Sequence, residues 1–377
     1  MAAEFDKRRK LFSLKFSTRR HFVNRNQVKF LAICIAALTI VCCASFITFA
    51  AAAPQGSGYH LVKKVALGGD SGWDYLYAEP TTHRIFISHG THTVVVDPQG
   101  TVLGDIPDTK GVHGIATATE FNRGFTSNGQ GNSVTVFDLT TLKTINEIKI
   151  SGQNPDAILY DPASKRVFTF NGRSSDSTAI DAKTGDIAGT IALTGKPETA
   201  QADGEGHVFV NIEDKNQIIE FDSKKLTVMN TWSIAPCESP SGLAFDVAHK
   251  RLFAGCDGKI MAVIDSTNGK VVATVPIGEG VDANGFDPAT GFAFASCGDG
   301  TITVAHEDSP DKYTVVETIH TAPRARTMTV DTANHNVYTV TAEYGQATPP
   351  PAGAPAGTRG GRAPMVPGSF TLLIYGR

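Results

Sequence analysis

"DPASKRVFTFNG", Asp161–Gly172, decides the fold because the chain says it again: "DVAHKRLFAGCDG" at 246–258 and "DPATGFAFASCGDG" at 287–300. Each copy is a turn signal followed by a short apolar run around one aromatic residue. The aromatic recurs as Phe86, Phe125, Phe168, Phe209, Phe253, Phe294 and Tyr338, at intervals of 39, 43, 41, 44, 41 and 44 residues. From about Tyr59 onward no long helical pattern interrupts the series. Self-similarity at about 40–45 residues, with four short strands per unit, is the signature of a β-propeller. The expected fold is all-β: seven four-stranded antiparallel blades.

One unit can be divided in full. "PDAILY" is strand a, "DPASK" a turn, "RVFTF" strand b, "NGRSSDS" a loop, "TAID" strand c, "AKTG" a turn and "DIAGTIAL" strand d. The seventh unit has strands a ("RTMTVD"), b ("NVYTVTAEY") and c ("SFTLLIYGR"), and there the sequence stops. Its missing strand d is assigned to "HLVKKVALGG" at 60–69, so that the first strand closes the last blade and removes two open sheet edges. The propeller therefore spans 58–377, interrupted by a Pro/Gly-rich insert at 345–368 between strands b and c of blade seven.

The repeat resembles the exported YVTN-repeat, YncE-like seven-bladed propeller proteins over roughly 58–377. The likeness rests on "VFTFNG…TAIDAKTGDIAGTIALTGKP", "LFAGCDGKIMAVIDSTNGKVVATVPIGEG" and the degenerate "VYTV". The tetrapeptide that names the repeat is never intact, and blades two, four and seven diverge. The resemblance implies a propeller and export; it implies little chemistry, because one propeller scaffold hosts many functions.

Residues 1–53 have another character. Positions 1–29 carry nine Lys/Arg against Glu4 and Asp6, and an uncharged run follows from Phe30 to Phe49. A small-x-small cleavage site stands at Ala50-x-Ala52. This reads as a signal peptide or, at twenty apolar residues, an inner-membrane anchor over 30–49. "TRRHFV", 18–23, has the look of a twin-arginine signal. The expected location is the periplasm or the cell exterior, with membrane contact only through this segment. Beyond it remain 25 of the 34 Lys/Arg and 35 of the 37 Asp/Glu. A domain this acidic repels phosphate backbones, so nucleic acid is excluded as a partner. The domain is expected to be a monomer.

In a blade, the b–c and d–a connections emerge on one face and the a–b and c–d turns on the other. The second face is regular: Asp97, Asp138, Asp181, Asp222 and Asp265 precede its turns, where an Asx hydrogen bond is the expected role. The first face is irregular and polar, as binding loops on a rigid scaffold tend to be. Twelve residues before each aromatic, where strand a begins, stand Asp74, His113, Asp156, Pro197 (with Glu198 next), Ser241, Asp282 and Arg326. Three residues after it stand His89, Asn128, Asn171, Ile212, Cys256, Cys297 and Thr341. Glu213, Glu238, Glu343, Arg173 and Arg324 lie on nearby loops. Each alone is an ordinary loop residue; convergence from seven blades makes a polar funnel at the channel mouth, the candidate site for a small polar ligand or a protein partner.

Three narrower readings belong to this face. His89, His92 and His113 come from neighbouring blades and offer a divalent-metal set, with Asp74 as a carboxylate ligand; no other cofactor is indicated. Cys237 and Cys256 fall on the funnel side of blade five and are expected to form a disulfide, leaving Cys297 unpaired. No GxSxG elbow, HExxH, Walker loop or Rossmann glycine fingerprint occurs. The first functional expectation is a non-catalytic binding or scaffold propeller. The alternative is a lactonase-like hydrolase, with His113 and Asp156 or Glu198 as base and Arg326 as anion contact.

Overall fold

Seven separate four-stranded antiparallel sheets make up the computed structural model, which describes residues 56–348 and 363–377. The signal or anchor expected over 1–53, and most of the insert, fall outside the described residues. No helix among the described residues is long and apolar enough to cross a membrane.

Blade three shows the plan. Pro155–Asp161 is innermost, followed outward by Arg166–Asn171, Asp176–Asp181 and Ile187–Ala192. The outermost strand is largely exposed, whereas strand b is almost wholly buried. That gradient follows from the ring: a strand flanked by neighbouring blades on both faces must be apolar throughout, and a peripheral strand need not be. Each innermost strand packs against those of the two adjacent blades, which closes the circle.

Blade seven is completed from the other end of the chain. His60–Ala66 pairs antiparallel with Thr371–Gly376, from His60↔Gly376 to Ala66↔Thr371. Inside them lie Asn336–Thr341 and Met328–Asp331. The described ends of the insert are drawn together, Gly345 N–H donating to Pro364 O and Val366 N–H to Glu343 O.

The seven periodic aromatics are the inter-blade wedges, none more than 2% exposed. Phe86 meets Phe137 of the next blade at 5.9 Å between ring centroids, and Phe168 meets Phe221 at 5.3 Å. Phe209 meets Phe245 at 5.4 Å, and Phe253 meets Phe286 at 5.1 Å. Tyr338 sends its hydroxyl to Pro98 O of blade one, 3.0 Å away.

The far-face turns are built as their sequences require. Asp138, Asp181, Asp222 and Asp265 each accept backbone N–H groups of the turn that follows, and Asp97 does the same for Gln99 and Thr101. Three residues before each periodic aromatic the backbone is left-handed: His83, Asn122, Lys165, Lys250 and His335 have φ between 52° and 61°, and Gly206 and Gly291 fill the place in blades four and six.

If the aromatics hold blade to blade, Phe168→Ala should cost about 3–5 kcal/mol in urea unfolding. Ile187→Ala, on the exposed outer strand of the same blade, should stay within about 0.5 kcal/mol. Equal losses would contradict the wedge.

Candidate functional site

The starts of the innermost strands converge at the channel mouth, and what meets there is charge. His113 Nδ1 lies 2.5 Å from Asp74 Oδ2 and 3.6 Å from Asp156 Oδ1, which links blades one, two and three. Arg326 of blade seven pairs with Asp282 of blade six and approaches Asp74 Oδ1 at 3.7 Å. Lys196 bridges Glu198 and Glu213 in blade four. Blade five contributes Ser241, whose Oγ is 3.4 Å from Asp282 O.

Local backbone irregularity aims these side chains. The a–b register slips between Val112 and Ile115, Pro155 and Ile158, Pro197 and Ala200, and Val281 and Ala283. His113, Asp156, Glu198 and Asp282 sit inside these four bulges. A bulge breaks the in–out alternation and re-aims one side chain, here toward the axis. Small residues below allow the strands to crowd: a Cβ on Gly114 would stand 2.9 Å from the Ile158 side chain and 3.3 Å from Asp156 O. Beneath the charged ring the channel encloses a cavity of about 310 Å³, lined by Tyr75, Gly114, Ala157, Thr199, Gly242 and Asn284 among others.

The electrostatics follow from crowding five carboxylates with two fixed cations. Burial first, then Asp74 and Asp156, push the Asp282 carboxyl up to about 7 against the opposing pull of Arg326. Burial and the Asp156 charge raise Glu198, with Lys196 opposing. Burial and Asp74 raise Asp156, with His113 opposing. For His113, burial lowers the imidazole pKa, but the hydrogen bond to Asp74 and the Asp156 charge outweigh it and leave the pKa above its ordinary value. Tyr75, in the same ring, is raised by burial and by Asp156, Glu198 and Asp74.

The positions twelve residues before each aromatic thus assemble. Those three residues after it do not. Asn128 is consumed inside its blade, its amide donating to Ser133 Oγ and Thr135 Oγ1 and its oxygen accepting from Thr126. Asn171 repeats the pattern with Thr169, Asp176 and Thr178. His89 is buried and stacks on Phe370 at 4.3 Å; burial first, and His92 second, hold its pKa down to about 4. His92 Nε2 is 3.2 Å from His89 Nδ1 and 3.7 Å from Asp105. The three-histidine set does not close. Among the described residues, the group with donor atoms within 4.8 Å of one another at the channel is Asp74, His113 and Asp156. Glu213 reaches the ring through Lys196, while Arg173, Glu238 and Glu343 are exposed on their loops. Arg324 lies 3.7 Å over the Tyr344 ring beside the mouth. Cys237 and Cys256 are disulfide-bonded, with Cα atoms 5.3 Å apart, and Cys297 is free and buried.

Lys196 and Tyr75 were not singled out by spacing. Nor were Ser88, Ser127 and Ser296, two residues past their aromatics. Ser88 Oγ accepts from Asp74 N–H, Ser127 Oγ donates to Asp156 O, and Ser296 Oγ donates to Arg326 O. Their signal was a polar residue recurring in phase within an otherwise apolar strand.

No protein-family model matches the chain, and no curated protein does. Among solved structures, a chain of Kuenenia stuttgartiensis hydrazine synthase superposes with a TM-score of 0.63, covering 72% of this chain and 92% of that one at 15% sequence identity. This protein is a seven-bladed β-propeller. At such identity the likeness shows the fold alone, a fold consistent with a binding or scaffold role.

Two outcomes are expected. Non-reduced peptide mapping should recover Cys237 linked to Cys256 and Cys297 as a thiol; a mixed pattern would refute the pairing. The second concerns pH. An unfolded carboxyl ionises near pH 4, whereas Asp282 holds its proton to about 7. Between these values the folded state binds more protons than the unfolded state, so stability falls as pH rises. The elevated His113 acts in the same direction. The melting temperature should therefore decline from pH 5 to 8, and less steeply in Asp282→Asn. An unchanged slope in that variant would show that Asp282 is not the buried acid described.

Proposed function

We propose that the protein is an exported, non-catalytic binding propeller whose channel mouth receives a small organic cation. The observation carrying this reading is the carboxylate ring. Asp74, Asp156, Glu198, Glu213 and Asp282 face Lys196, Arg326 and the His113 imidazole, and three of the five acids are raised by burial and mutual repulsion. A cleft with that balance concentrates positive charge, and a bound ammonium group relieves the repulsion that the empty site maintains.

The hydrolase alternative finds less support. His113 Nδ1 is committed to Asp74, with Asp156 3.6 Å away, and its Nε2 lies where a Cβ on Gly129 would come within 2.5 Å. Arg326, the anion contact of that scheme, is committed to Asp282 and Asp74. One further reading has an observation behind it: Asp74, His113 and Asp156 form a donor set suited to a divalent ion.

Calorimetric titration with spermidine and with choline, at pH 6 and pH 8, tests the proposal. Binding should tighten with pH as the raised carboxyls ionise. It should weaken at least about tenfold in Glu198→Gln, the loss of one charge-assisted contact. Citrate should not bind. Binding of citrate but of neither amine would overturn the reading, as would lactone hydrolysis that disappears in His113→Ala.

A further inference from the structure

We propose that the face opposite the funnel carries a divalent transition-metal site ligated by Asp246 Oδ2, His249 Nδ1 and Glu307 Oε1. Asp246 ends the innermost strand of blade five, Leu243–Asp246, and His249 lies three residues on in the a–b turn. Glu307 comes from blade six, in the strand Thr301–Ser309. His249 Nδ1 is 2.6 Å from Asp246 Oδ2 and 3.1 Å from Glu307 Oε1, and the three donor atoms lie within 4.8 Å of one another.

The inference turns on Glu307. Its side chain is 6% exposed, and Oε1 is buried with no hydrogen-bond partner. One imidazole N–H, directed to Asp246 at the shorter distance, does not also satisfy a second carboxylate. The remaining oxygen then faces another buried acid, since the Asp246 side chain is 2% exposed. A cation at the centre of the three resolves an arrangement that is costly without one.

Comparison with the other turns isolates the feature. His207 with Asp203, His335 with Asp287 and His83 with Asp331 are each one imidazole on one carboxylate, at 2.7, 2.8 and 3.0 Å. They read as clips that fasten turns. Blade six adds the second acid through a departure from the repeat. Where other blades place a turn-capping Asp at the end of strand c, it has "HEDSPDKY", 306–313, which prolongs the hairpin into Thr301–Ser309 and Lys312–His320. The extension is held over the blade-five turn by independent contacts. Arg251 of blade five donates through Nε to Pro310 O at 2.9 Å and pairs with Asp311 at 2.8 Å, while within blade six Glu307 N–H donates to Gly291 O at 2.8 Å. Ligands fixed in this way by their surroundings are pre-organised.

Two carboxylate oxygens and one imidazole nitrogen suit Zn²⁺ or Mn²⁺ better than Ca²⁺, which collects six to eight oxygens. His249 is half exposed, so water can complete the coordination. The rival explanation is a proton kept on Glu307 and shared with Asp246, in line with the raised pKa that burial and Asp246 give this acid.

The full-length chain, stripped with EDTA, is titrated with Zn²⁺ and separately with Mn²⁺, and retained metal is counted after dialysis. Wild type should keep one equivalent that Glu307→Gln and His249→Gln lose, or bind at least about tenfold more weakly. Asp156→Asn, in the funnel, should keep it; an equivalent lost only there belongs to the channel instead. Zn²⁺ should raise the melting temperature of wild type and not of Glu307→Gln. The site is refuted if wild type retains neither ion, or if both far-face variants retain it. Should Glu307→Gln fail to fold, His249→Gln, altered at a half-exposed position, decides the question.

Discussion

The pairing of His60–Ala66 with Thr371–Gly376 is the constraint on which the rest depends. Without it blade seven would lack its outer strand and would stand three-stranded beside six complete blades. With it, the number of blades is fixed, and so is the closeness of the innermost strands at the axis. Seven strands that start at the same height must bring seven side chains together. Whatever residues stand there meet, whether or not their chemistry favours the meeting.

In this chain their chemistry opposes it. A ring of carboxylates, partly buried and only partly neutralised by Lys196 and Arg326, is an unfavourable arrangement for folding. It persists because the wedged aromatics and closed blades over-determine the backbone around it. Serine hydroxyls from the second strands hold the strand starts in place. Bulges at four of the seven starts turn the acids inward rather than away. Repulsion kept in a cleft, with the means to aim it, is the observation on which the proposed binding role rests.

How much of this was legible from sequence depends on which constraint wrote each residue. The aromatic period was plain because every wedge must fill the same inter-blade gap; hence Phe86 to Tyr338 could be counted directly. The closing strand followed from the seventh blade lacking one. The residues twelve before each aromatic were legible because the start of strand a falls at the same phase of every repeat, although the bulges that aim them inward were not. Positions three after were misleading: Asn128 and Asn171 occupy the same phase as His89, but strand b is covered on both faces and their amides are spent within the blade. His113 looked like a partner for His89 and His92, yet ring geometry gives it two aspartates. Lys196 was hidden because it lies one residue before the strand and reaches the ring by side-chain length.

The distribution of extra ties follows strand length. The innermost strands of blades two, three and six have seven residues, whereas those of blades one, five and seven have three or four. A short inner strand makes fewer ladder bonds, so its position must be fixed otherwise. Blades one and seven are fixed to each other, by Arg326 with Asp74 on the funnel side and His83 with Asp331 on the far side. Blade five is fixed at both ends as well: the Cys237–Cys256 disulfide holds the approach to its short strand, and Arg251, bonded to Pro310 O and Asp311 of the blade-six hairpin, holds the exit. The prolonged hairpin of blade six, an irregularity when read as sequence, is thus the counterpart of a weakness in its neighbour. Between these two fastenings in the chain stands Ser241, its Oγ 3.4 Å from Asp282 O, where the funnel ring crosses the blade that contributes least charge to it.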